Sequence, residues 1–82
     1  MNNNLLMDRI IVDPDILTGK PVIKGTRLSV QYILGLMASG ADANEILSEY
    51  KGLTHEDILA CLLFASMALD SNTFAPLTKK MA

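Results

Sequence analysis

The run from Thr54 to Asp70, THEDILACLLFASMALD, constrains this chain more than any other stretch. Its start is polar (Thr54, His55, Glu56, Asp57), and between Ile58 and Leu69 only Ser66 is clearly polar. Thr54 followed three residues later by Asp57 reads as a capping box with Asp in place of Glu or Gln, and acids in a first turn complement the helix dipole. A surface helix shows an apolar stripe and a polar face, whereas here the apolar residues go nearly all the way round. The run is either a central core helix or a helix whose second face is covered by another copy of the chain. It is too short to span a bilayer, which takes ~20 apolar residues.

The whole sequence, 82 residues with 50% hydrophobic content and a mean hydropathy of +0.30, allows one domain with a modest core. At that size oligomerisation often supplies further burial, which supports a homodimer. The formal charge of -2 argues against a surface that is wholly a nucleic-acid footprint, while leaving room for a local basic patch. The single cysteine, Cys61, sits inside the apolar run and reads as a small buried hydrophobe of a reducing compartment. Residues 1–8 lack the basic start and long apolar run of a signal peptide, so a cytoplasmic location is expected.

Three regions follow from the pattern: a flexible N-terminus over 1–8, a folded domain over 9–70 and a C-terminal tail over 71–82. Arg9 to Val12 is a short β-branched run closed by the turn Asp13-Pro14-Asp15. A second extended piece, Pro21 to Ile23, lies between Gly19 and Gly25, and Pro21 places it at an edge or at a strand's first residue. Ser29 then caps a helix carrying Val30, Ile33, Leu34 and Met37 at helical spacing and ending at Ser39-Gly40. Asp42 and Glu45 open a second, short helix with Ile46, Leu47 and Tyr50 on one face, and Gly52 separates it from the third. The expected fold class is mainly α: a three-helix, homeodomain-like helix-turn-helix bundle with a short N-terminal β arm.

A recognition helix reads bases with Arg, Lys, Asn or Gln near its start. Here those positions hold Thr54, His55, Glu56 and Asp57, which would carry two carboxylates towards a polyanion. Lys20, Lys24 and Arg27, within eight residues that contain no acid, are better DNA-binding candidates, with His55 as a further phosphate donor. The same patch also reads as a solvated turn. Leu59, Leu62, Leu63, Phe64 and Met67 are the candidate dimer interface. Asp8, Asp13 and Asp15 are explained by turns and caps, and one histidine and one cysteine make no metal site. No catalytic residue, metal or cofactor is expected, and an enzyme acting alone is not.

The segment Ile11-Val12-Asp13-Pro14, then Gly19-Lys20-Pro21-Val22-Ile23-Lys24-Gly25-Thr26-Arg27-Leu28-Ser29-Val30, a helix, Gly40, an acidic helix ending in Tyr50 and Leu53-Thr54 with Glu56-Asp57-Ile58 resembles the domain-of-unknown-function family 433 (DUF433). The likeness runs in order from Arg9 to Leu69. It implies a helix-turn-helix, antitoxin-like regulator of a type II toxin-antitoxin module that binds a PIN-like ribonuclease toxin and also its own promoter DNA. The alternative is a homodimeric adaptor on the same scaffold without DNA binding. Within the motif, Gly25 suits a positive φ, Thr26 suits backbone bonding, and Arg27 suits pairing with a carboxylate such as Asp13. In the tail, Phe74 and Leu77 are candidate anchors for the toxin, with Lys79 and Lys80 against an acidic nuclease site.

Overall fold

The computed structural model describes residues 3–71, with side chains described from 4 to 70. In chain order these form α1 (Asn3–Met7), β1 (Ile10–Val12), a single 3-10 turn (Leu17–Gly19), β2 (Pro21–Ile23), α2 (Val30–Ala38), α3 (Ala43–Glu49) and α4 (His55–Ser71). The described fold is mainly helical, with four α-helices around one small antiparallel sheet. The flexible stretch expected over 1–8 is instead helical at Asn3–Met7, because Leu6 is buried and α1 packs on α4.

The two strands pair Ile10 with Ile23, Ile11 with Val22 and Val12 with Pro21. Pro21 begins its strand, where its missing N–H removes nothing from the ladder. Val22 forms a further antiparallel bridge with Ser29, so the chain returning from β2 delivers α2 directly onto the sheet. There the Ser29 hydroxyl accepts from Tyr32 N at 2.9 Å and caps α2. Asp42 and Glu45 form a reciprocal box at the start of α3, with bonds of 2.8 and 2.9 Å. The α3–α4 connection does not use the left-handed conformation at Gly52, unlike the positive φ of Gly25 and Gly40.

Ile23, Val30, Ile33, Ile46, Leu53, Ile58 and Cys61 make the buried core, so every element from β2 onward contributes. In α4 the burial is confined to the first two turns: Asp57, Ile58, Ala60 and Cys61 are buried, and no residue from Leu62 to Asp70 is. The second half of this helix, roughly 15 Å at 1.5 Å per residue, carries apolar side chains past the core that holds the first half.

Candidate functional site

The motif from Gly19 to Val30 is held by its own backbone chemistry. Gly25 adopts φ +82, a conformation that side-chain-bearing residues rarely take. The Thr26 hydroxyl then donates to Ile23 O at 2.7 Å and accepts from Leu28 N at 3.0 Å, closing the turn. These are the structural roles that the sequence allowed for Gly25 and Thr26. Arg27 is exposed, and Asp13 does not pair with it in the way the sequence suited: its Oδ1 accepts from Asp15 N at 2.9 Å inside its own turn. The carboxylate that does take an arginine is Asp57, whose partner is Arg9 at 3.1 Å.

Lys20, Lys24 and Arg27 are all exposed, but they do not converge at one point. Lys20 immediately precedes β2 and Lys24 immediately follows it, which separates them by about 13 Å of extended chain. Lys20 borders an open groove of about 490 Å³ that is also lined by Ser29, Gln31, Tyr32, Gly35 and Ser39 of the α2 face. Lys24 and Arg27 flank the Gly25 turn at the other end.

At the start of α4, Thr54 N donates to Asp57 Oδ2 at 3.0 Å and Asp57 N donates to Thr54 Oγ1 at 3.3 Å, the box that the sequence indicates. Asp57 is 7% exposed and its other oxygen accepts from Arg9. Capping and pairing therefore consume this carboxylate. Of the two acids that the sequence places towards a groove, only half-buried Glu56 remains beside exposed His55. Arg9 was not legible as a partner, because the acid it meets is 48 residues away.

The apolar candidates divide between two sides of α4. Leu59, Leu62 and Met67 are 38%, 42% and 48% exposed, and Leu69, outside the expected set, is 63% exposed. Leu63 is half-buried. Phe64 turns inward against the core cluster, since it follows Cys61 by three residues and shares its face of the helix. On that inner side Phe64, Ala65 and Ala68 form a second groove with Pro21, Val30 and Leu34, apolar throughout and about 260 Å³ in volume. The tail candidates Phe74, Leu77, Lys79 and Lys80 lie outside the described residues.

Two titratable features complete the surface. Tyr32 and Tyr50 meet edge to face with ring centroids 6.0 Å apart, and their hydroxyls hydrogen-bond, tying α2 to the end of α3. That bond raises the Tyr50 pKa above its ordinary value, with a smaller push from burial and from neighbouring Glu49. Burial, reinforced by the Asp57 charge, pushes the Cys61 thiol up to about 11, so it carries negligible thiolate at neutral pH. Among the described residues no three of His, Cys, Asp and Glu converge to hold a metal ion, and no helix is long and apolar enough to cross a membrane.

Residues 10–65 match the family model described as "Protein of unknown function (DUF433)". The chain belongs to the DUF433 family. Consistent with this, the DUF433 fold here is similar to the crystal structure of a DUF433 member protein from Anabaena variabilis, with a TM-score of 0.74 at 28% identity. The similarity covers 82% of this chain and 66% of that one, so this DUF433 chain spans less than two thirds of its solved relative. Comparison with curated proteins gives no match. The family segment begins at β1 and ends at Ala65, which leaves α1 and the last turns of α4 outside it.

Proposed function

We propose that this DUF433 protein is an antitoxin-like regulator of a type II toxin-antitoxin module, a homodimer that binds a PIN-like ribonuclease and contacts promoter DNA through Lys20, Lys24 and Arg27. The observation that carries the reading is the apolar outer face of α4. Leu59, Leu62, Met67 and Leu69 leave substantial hydrocarbon in water on a helix whose other face is already in the core. A contiguous face of that kind marks a protein contact. The first occupant of this face is a second copy of the chain, and the tail beyond α4 supplies the contact to the ribonuclease.

The homodimeric adaptor without DNA binding is the second reading. It is favoured by the overall charge of -2 and by the wide separation of the three cations along β2. One experiment addresses both. Light scattering and calorimetry would compare the intact protein with Leu62→Glu, using the ribonuclease encoded beside it as titrant. Dimer formation and tight binding in the first, with loss of the dimer in a variant that keeps its circular dichroism, support the regulator. No binding of the ribonuclease removes it and leaves the adaptor.

A further inference from the structure

The second groove, between α2 and the far half of α4, has no role in that reading. Its walls are Pro21 and Val30 with Leu34 on one side, and Phe64, Ala65 and Ala68 on the other. Its volume of about 260 Å³ exceeds the roughly 150 Å³ that accommodates a benzene ring in an engineered apolar cavity. One aromatic ring fits, with space for part of a second apolar side chain.

Its position on α4 bears on what fills it. Phe64, Ala68 and Ser71 stand at the i, i+4, i+7 spacing of one helical face, so the chain leaves α4 on the side that forms the groove. The residues that follow are Asn72-Thr73-Phe74-Ala75-Pro76-Leu77, which contain a ring and a branched aliphatic three residues apart. Three residues of extended chain cover about 10 Å, and the seven helical steps from Phe64 to Ser71 cover about 10.5 Å. If Ser71 to Thr73 reverse the direction, Phe74 reaches the level of Ala68 and Leu77 the level of Phe64. The chemistry also agrees. An apolar wall offers no partner for backbone groups, and Pro76 brings no N–H to leave unsatisfied.

We propose that this groove is the docking site of the chain's own segment Phe74 to Leu77, which closes the far half of α4 against α2 in the free protein. The proposal is independent of the toxin-antitoxin reading, because it concerns the isolated chain and needs neither ribonuclease nor DNA.

The sequence contains no tryptophan, so Phe74→Trp in the full chain gives one reporter at the proposed seat. Docking predicts blue-shifted emission and severalfold protection from acrylamide quenching, both unchanged on dilution. Ala68→Glu and Gln31→Glu alter exposed positions on the groove wall, so the fold is retained, as circular dichroism would verify. Each should shift the emission to the red and restore quenching. Solvent-like emission in the parent reporter overturns the proposal. Protected emission that is lost on dilution overturns it as well, since the seat is then on a second copy, and so does protection that survives both groove variants.

Discussion

Arg9 Nη1 lies 3.1 Å from Asp57 Oδ1, fastening the residue just before β1 to the first turn of α4. The same aspartate caps that turn through Thr54 N, so one buried carboxylate serves a local bond and a long-range one. Arg9 is 36% exposed and Asp57 only 10% at the side chain, so the two partners differ in what their loss leaves behind.

Replacing Asp57 by Ala removes the cap and leaves Arg9 free to turn to water. Caps are worth ~0.5–2 kcal/mol, and a partly exposed ion pair adds ~0–1 kcal/mol. The expected loss is about 2 kcal/mol by urea denaturation. Arg9→Met should lose less, under about 1 kcal/mol, because Asp57 keeps its cap. Equal losses in the two variants would show that the ion pair outweighs the cap.

The glycines divide sharply. Gly25 at φ +82 admits no other residue without strain, so Gly25→Ala should destabilise by about 1 kcal/mol. Gly35 sits inside α2, where an added Cβ would meet nothing within 4 Å. Glycine costs ~0.8–1 kcal/mol relative to alanine in a helix interior, so Gly35→Ala should raise thermal stability by a comparable amount. Thermal melts of the two variants, moving in opposite directions, would check both.

The elements legible in the sequence are those fixed by neighbours. Ser29, the Asp42–Glu45 box and the Thr54–Asp57 box each rest on residues three apart, and each forms as the spacing indicates. Pro21 marks the first residue of β2 because its ring dictates what it can do there. What the sequence could not reveal depends on tertiary contact. α1 is helical because Leu6 finds α4, although a polar lead of asparagines gives no such signal. Arg9 finds Asp57 across most of the domain, and the grooves exist only once α2 and α4 are packed. The apolar run of α4 was legible as a helix covered on two sides, but the division between core-facing Phe64 and exposed Leu62 appears only in the packed structure.

Cys61 provides a pH test. Its thiol is raised from 9.0 to about 11, so the folded state holds the proton more tightly than the unfolded chain. The resulting stabilisation is fully present below pH 9 and is lost as pH rises from about 9 to about 11. Cys61→Ala should abolish that part of the alkaline decline, at the cost of a small cavity. Thiol labelling should likewise be slow in the native protein at neutral pH and fast in urea. Rapid native labelling would contradict the burial.

Binding to promoter DNA would rest on Lys20, Lys24 and Arg27, and a salt series tests them directly. Each phosphate contact contributes about -0.9 to the slope of log affinity against log salt, so three contacts contribute about -2.7. Because Lys20 lies at one end of β2 and the other two cations at the far end, the contributions should separate by variant. Lys20→Ala should flatten the slope by about 0.9, and Lys24→Ala with Arg27→Ala by about 1.8. A slope unmoved by all three substitutions would take the β arm off the DNA. Absence of any complex at low salt would leave the acid-bearing start of α4 and its apolar outer face to protein contacts alone.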